Sequence, residues 1–470
     1  MRKPVTNLTT RFVAEALDLP PSNYAPREFT AITSDTRNDV MGSLFVAIRG
    51  EHFDGHRFID AAIAGGAAGI VAERDQVELQ NCNVAIFPVD DTLAAWRRIA
   101  GAWRQYFTLP VVAIGGAAGK TTTKNLLAAM LRGKFRHVLA TSGSQNGYLG
   151  LAMTLTALRQ QHEAAVVEIG IDARGAMAEH AALVRPDAAV VTTVGAEHLE
   201  TLGDIETVAA EEGRLLEWTA ANGGDIFVHE DDPWLTPYSQ RYVDKRCIRY
   251  KLNDEPFAAA AGLHGHIDGQ QLVLSGLGLE GATLPLPLVG RHNALNVLAA
   301  AAIALQLGLD VPEVEAGLAT FQPDAARSNV VALGGGITVL ADYYNASPVS
   351  VAAALQALAE IDAKRRWVCL ADMLELGPDE LNWHRNLAAP IMASGAHGVL
   401  VYGRRMAALR DALQAAGFRG ELAAFDDKAA LADRLSERLA SGDVVLIKGS
   451  RGMAMEEVMS RLTSHFGTES

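Results

Sequence analysis

Residues 111–123 read Val111-Val112-Ala113-Ile114-Gly115-Gly116-Ala117-Ala118-Gly119-Lys120-Thr121-Thr122-Thr123. Four apolar residues, a turn of glycine and alanine, and a helix-compatible run from Lys120 to Leu131 make a strand, a loop and a helix. Small residues let backbone N–H groups close around phosphate oxygens, and the helix N-terminus adds partial positive charge. In this frame Gly116, Ala117, Ala118, Gly119, Lys120, Thr121 and Thr122 bind the phosphates of a nucleotide. Lys120 neutralises the β- and γ-phosphates, and the Thr121 hydroxyl binds magnesium. The strict P-loop formula wants glycine where Ile114 stands, so the match is to a shorter GxxGKT form. A dinucleotide-dependent oxidoreductase is disfavoured, because no GxGxxG with a later ribose-binding acid follows a strand.

Working outward, 164–169 and 188–191 are further apolar strands separated by helix-compatible stretches, which predicts a parallel, helix-covered sheet. Residues 257–289 are Gly-rich with short alternating runs and predict a small antiparallel element, followed by a helix from Asn293 to Leu307. Upstream, 44–48 and 69–72 are strands, 57–64 and 92–106 are helices, and Pro110 marks a hinge. Downstream of Phe321 a third set begins, with strands at 338–341, 367–370, 399–402 and 444–448. The chain of 470 residues is too long for one core, and these units divide it into domains at 1–108, 109–321 and 322–470.

The formal charge of −14, from 41 basic and 55 acidic side chains, argues against a general grip on nucleic acid. Local Lys and Arg still suit an anionic small substrate. Cys82, Cys247 and Cys369 are far apart and odd in number, so no disulfide framework or metal spacing follows. The first residues lack the apolar run of a secretory signal, and 297–309 is too short to span a bilayer. The expectation is a cytoplasmic protein without membrane insertion.

The shorter phosphate loop resembles that of the Mur ligases, and motifs along the chain are similar to members of the MurF type. In chain order they are Ser34-Asp35-Thr36-Arg37, Phe53-Asp54-Gly55-His56, Gly290-Arg291-His292-Asn293-Ala294-Leu295-Asn296, Asp342-Tyr343-Tyr344-Asn345-Ala346-Ser347-Pro348, Ala371-Asp372-Met373-Leu374-Glu375-Leu376-Gly377 with His384, and Lys448-Gly449-Ser450-Arg451-Gly452-Met453. The resemblance implies an α/β fold of three domains: a UDP-precursor-binding domain, a central P-loop parallel-sheet ATPase domain and a Rossmann-like C-terminal domain for the incoming amine. It implies a monomer that uses ATP and Mg2+ to join D-alanyl-D-alanine to a UDP-MurNAc-tripeptide through an acyl phosphate. Lys120, His198 and Arg327 are then the catalytic residues. Asn293 and Asn296 read adenine, Arg327 reaches the ATP phosphates, and Asp342 holds the ribose. Thr121, Glu168 and His198 hold metal. Ser34, Asp35, Arg37, Asp54, His56, Asn146, Tyr344, Asn345, Lys448, Ser450 and Arg451 contact the substrates.

The chain also departs from that pattern. Where the family carries a carbamylated lysine that bridges magnesium, this sequence has Glu212, whose carboxylate is expected to take over as a metal ligand beside His198. Ser144 and Gly147 replace asparagines in the loop 142–150. Residues 171–174 are Ile-Asp-Ala-Arg in place of a GANH-like stretch, and Tyr343 and Ser347 alter the 342–348 segment. These changes surround the substrate sites, so the alternative is a paralogue joining a different amine to a different carboxylate. A nucleotide-binding regulator without ligase chemistry is a third reading, against which Lys120, Glu168, His198 and Arg327 argue.

Overall fold

A computed structural model describes residues 7–50, 53–76, 84–242, 246–253 and 262–468. Cys82, two residues of the 50–56 loop and residues 257–261 of the Gly-rich stretch lie outside them; Cys247 and Cys369 are buried and unbonded.

The central sheet has nine strands in the order Leu279–Pro285, Gln271–Gly276, Gly262–Asp268, Cys247–Leu252, Asp225–His229, Ala188–Val191, Val111–Gly115, Ala164–Glu168, Val138–Ala140. Neighbours from Val138–Ala140 to Gly262–Asp268 pair in parallel, and the last two strands turn antiparallel. The antiparallel element expected in the Gly-rich stretch is thus present from residue 262 onward, and it forms one edge of this sheet. Its neighbour Cys247–Leu252, which places it there, was not foreseen as a strand, although Ile248-Arg249-Tyr250-Lys251-Leu252 alternates apolar and charged residues with the apolar ones buried. Val111–Gly115 and its two neighbours are wholly apolar apart from terminal Gly115 and Glu168, as befits strands covered on both faces. Helix Lys120–Leu131 covers one face with Arg291–Gln306, and Ile205–Ala221 covers the other. The loops after Val111–Gly115, Ala164–Glu168 and Ala188–Val191 share one edge of the sheet, the carboxyl edge where parallel α/β sheets bind ligands.

The first domain carries four parallel strands, Ile32–Thr33, Leu44–Val46, Gly69–Glu73 and Ala85–Val89. The third carries six, in the order Asn329–Leu333, Ile337–Ala341, Asp443–Lys448, Arg365–Ala371, Ala396–Tyr402, Glu421–Phe425, with only the first antiparallel. The expected helix at 57–64 divides into a 3-10 turn, Gly55–Phe58, and a short helix, Ile59–Ala64, because Asp54 caps the turn through the His56 N–H.

Pro110 is not a free hinge. Helix Thr92–Arg104, capped by Asp91, packs against helix Tyr148–Thr156 of the central domain. Fully buried Trp96 donates its indole N–H to Thr156 Oγ1 at 3.2 Å, and Trp103 to the Leu158 carbonyl at 3.1 Å. Buried Arg104 donates to the carbonyls of Phe107, Val184 and Arg185 at 2.8–2.9 Å. The segment leading to Pro110 is thus pinned at the very place where the sequence suggests freedom.

Candidate active site

The phosphate loop is held from behind. Gly116 has φ +117°, and a Cβ there would stand 2.3 Å from Thr192 Oγ1, so only glycine fits. Thr192 Oγ1 donates to the carbonyls of Gly115 and Ala118 at 3.1 and 2.5 Å. The Gly116 N–H donates to Glu212 Oε2 at 2.8 Å and the Ala117 N–H to the Thr193 carbonyl at 2.8 Å. Gly116 and Ala117 were expected to offer these two N–H groups to phosphate; they brace the loop instead. On the loop's other side, the first turn of helix Lys120–Leu131 keeps N–H groups without helical partners, a geometry suited to anions.

That side opens into a cavity of about 410 Å³ between the central and C-terminal domains. Ala117, Ala118, Gly119, Lys120, Thr121, Thr122, Asn146, Glu168, His198, Asn293, Asn296, Arg327, Asp342, Tyr344, Asn345 and Lys448, all singled out in the sequence, line it together. Glu168 is almost fully buried. Its Oε1 accepts from Asn146 Nδ2 at 2.7 Å, and its Oε2 lies 3.7 Å from Lys124 Nζ. Lys124, also buried, donates to the carbonyls of Thr141 and Gly143 at 2.8 and 2.7 Å; burial lowers its pKa, and nearby Glu168 opposes that shift.

Lys120 donates to the carbonyl of Gly116 and lies 3.4 Å from Glu197 Oε2. Burial works against its charge, but Glu197, Glu212 and Glu168 outweigh it and raise the pKa. Glu212 is fully buried under the loop, not solvated on its helix, and burial pushes its carboxyl up to about 8. Its hydrogen bond goes to Gly116, and it does not line the cavity with Glu168 and His198.

His198 has a left-handed backbone, φ 48°, and its Nδ1 lies 2.5 Å from Glu375 Oε2 of the C-terminal domain. Glu375 is left-handed too, and its carbonyl accepts the Glu200 N–H at 3.3 Å. A second bridge joins the domains nearer the phosphate loop. Arg327 stacks 3.8 Å over the Tyr344 ring and donates to Ser144 Oγ at 2.8 Å, itself 3.5 Å from Thr121 Oγ1.

Asn293 and Asn296 are buried in the wall, their amides engaged in the protein. Asn293 Nδ2 donates to the Val289 carbonyl at 2.8 Å, and Asn296 Oδ1 accepts from Thr123 Oγ1 at 3.2 Å. Beside them His229, stacked on Tyr250, presents a buried Nδ1 without a partner. Burial pushes the His292 imidazole down to about 4, so it is neutral.

Several expected contacts build the protein rather than face the cavity. His56 Nε2 accepts the Glu73 N–H at 3.0 Å and its Nδ1 meets Asp54 Oδ1 at 2.7 Å, so both ring nitrogens are engaged. Buried Ser450 accepts the Leu374 N–H at 2.9 Å and donates to the Ala346 carbonyl at 3.2 Å. His384 likewise accepts the Met373 N–H at 3.0 Å. Lys448 does line the cavity, but its ammonium is engaged by the protein, donating to Asp342 Oδ2 at 2.6 Å and to the Asn345 carbonyl at 2.9 Å. Arg451 is exposed and pairs with Glu456 at 3.1 Å. Ser34, Asp35 and Arg37 lie on a first-domain loop outside the cavity, where Asp35 and Arg37 pair at 2.8 Å. Glu197, Lys124, His229 and Glu375 were not foreseen as site residues. Glu197 had a signal in its place next to His198, and Glu375 in its place within the 371–377 motif.

Sequence models of the Mur ligase family match three consecutive stretches: the catalytic domain at 28–104, the middle domain at 114–304 and the glutamate ligase domain at 326–451. Three α/β domains, with a phosphate loop facing basic groups of the next domain, suit an ATP-dependent ligase, and the chain belongs to the Mur ligase family. The UDP-N-acetylmuramoyl-tripeptide–D-alanyl-D-alanine ligase of Synechocystis sp. is 36% identical over 92% of this chain and 91% of its own length. That of Escherichia coli is 35% identical over 92% and 93%. The crystal structure of MurF from Acinetobacter baumannii shares the fold, with a TM-score of 0.85 at 24% identity over 98% of this chain and all of that one. Within the family, the similarity falls on the MurF type.

Proposed function

We propose that this enzyme joins D-alanyl-D-alanine to a UDP-MurNAc-tripeptide in peptidoglycan precursor synthesis, acting as a monomer in the cytoplasm. The observation that carries the reading is one cavity lined by Lys120 of the phosphate loop and by Arg327 of the next domain. The named activity of the relatives supplies the substrates.

A carboxylate is a poor electrophile, so its oxygen first takes the γ-phosphoryl group of ATP, releasing ADP. The amine then attacks the acyl carbon, and phosphate leaves as the amide forms. Lys120 and Arg327 offset charge that spreads over the transferring phosphoryl oxygens. Asn146 orients Glu168, and Tyr344 holds Arg327 flat against its ring. The bridges at Ser144 and Glu375 keep water from the acyl phosphate while both domains are closed.

The residues present also suit magnesium. Glu168 Oε2 and Glu197 Oε1 are buried oxygens without hydrogen-bond partners, and Thr121 lines the same cavity. Among the described residues no group of three or more His, Cys, Asp or Glu forms a metal cage. That pattern fits an ion which takes one or two carboxylates and fills its shell with phosphate and water. Thr121, Glu168 and His198 would hold it, and it would supply charge neutralisation and phosphate orientation.

The test is a panel of acyl acceptors and amines assayed for ADP formation, with product masses. D-alanyl-D-alanine with UDP-MurNAc-tripeptide should exceed free D-alanine, L-alanine and L-lysine. A strong preference for a single amino acid would move the protein to the paralogue reading.

A further inference from the structure

Lys120 and Glu197 meet in a contact that nucleotide binding has to break. The ammonium is turned back on its own loop, towards the Gly116 carbonyl, with Glu197 Oε2 3.4 Å away. The two side chains are 14% and 10% exposed, so the pair is poorly screened by water. Both line the cavity, and Glu197 Oε1 is buried without a partner. The left-handed backbone at His198 directs the neighbouring side chains apart. His198 reaches Glu375 in the next domain, while Glu197 stays with the phosphate loop.

We propose that Glu197 is a positioning residue that holds Lys120 on the phosphate loop while nucleotide is absent. It releases the ammonium to the incoming phosphates as its own carboxylate turns to the accompanying cation. The inference rests on the reading of Lys120 as the phosphate clamp. Its physical content is competition: a polyphosphate arriving without metal must displace a carboxylate from Lys120 and sit beside it. With a divalent cation, the freed carboxylate gains a new partner. Glu197 thereby couples nucleotide affinity to the cation and withholds Lys120 from bare nucleotide.

The test is ADP titration by calorimetry on the full chain, with chelator and with magnesium, comparing wild type and Glu197→Gln. Without metal, Glu197→Gln should bind ADP roughly three- to tenfold more tightly, and the enhancement by magnesium should shrink. A residue that only supported the fold would weaken binding in both conditions. Glu197→Asp withdraws the charge by one methylene from a contact already 3.4 Å long, and should change metal-free binding in the same direction by less. It serves as the second variant if the glutamine protein does not fold. Unchanged or weaker metal-free binding in a folded variant overturns the proposal. Lys120→Ala separates the two readings. If it leaves ADP affinity intact, the clamp itself fails; if it weakens ADP while Glu197→Gln brings no gain, only the holding role fails.

Discussion

Replacing Glu212 by glutamine should remove a pH dependence of stability that the fold builds into the phosphate loop. The carboxyl is fully buried, accepts the Gly116 N–H at 2.8 Å, and is pushed by burial from 4.5 to about 8, against the pull of Lys120. A folded-state pKa above the unfolded value means that the folded protein binds the proton more firmly. The contribution to stability is therefore complete below about 4.5, falls as pH rises, and is lost by about 8. The slope is at most about 1.4 kcal/mol per pH unit, so going from about pH 5.5 to about pH 7.5 removes about 2–3 kcal/mol. For a domain of some 200 residues that amounts to roughly 5–10 °C in Tm. Glutamine keeps a carbonyl to accept the Gly116 N–H and does not titrate. The Tm of Glu212→Gln minus that of wild type should then grow by this amount across the interval, whatever constant offset the new amide brings. Scanning calorimetry of the metal-free protein, following the central-domain transition, measures it. Parallel curves would refute the reasoning and return Glu212 to an ionised carboxylate, such as the metal ligand the sequence suggests.

Lys120→Ala should lower amine-dependent ADP release about a hundredfold or more while the protein stays folded, because it removes a charge that acts on the transferring phosphoryl group. Near-normal turnover would show that the loop does something else. His56→Ala should destabilise the first domain by about 1–3 kcal/mol, since the Glu73 N–H loses its acceptor, while the KM for the UDP precursor stays unchanged. Calorimetry and initial rates decide, and a raised KM with unaltered stability would restore a substrate contact.

What the sequence made legible was local. The phosphate loop, its strand and its helix declare themselves within some twenty residues, because glycine freedom, apolar runs and a lysine at the helix start act over short range. The wall of the cavity was foreseen through motifs, yet what each side chain does there was not. Asn293 and Asn296 look like free amides in one dimension, and only packing shows that Val289 and Thr123 engage them. His56 looks like a ligand until the Glu73 N–H arrives from a strand 17 residues away. Glu212 aligns with a metal-bridging position, but its reach sends its hydrogen bond to Gly116. Contacts across domains, such as Ser144 with Arg327 and His198 with Glu375, have no periodicity or spacing to betray them. The same holds for the junction at Pro110, where composition suggested a bend and a buried arginine prevents one.

That junction bears on how the chain is made. Trp96 and Trp103 cannot reach their partners until Thr156 and Leu158 have been synthesised, and Arg104 must wait for Val184 and Arg185. At ribosomal rates of about 5–20 residues per second, the two indoles wait roughly 3–12 s for partners 60 and 55 residues on, and Arg104 waits roughly 4–16 s for its own, 80 and 81 residues on. The first hundred residues therefore do not mature as an independent bead on the nascent chain. They are sealed only when the first three of the nine strands of the central sheet have been translated, and until then helix Thr92–Arg104 is open to chaperones and to aggregation.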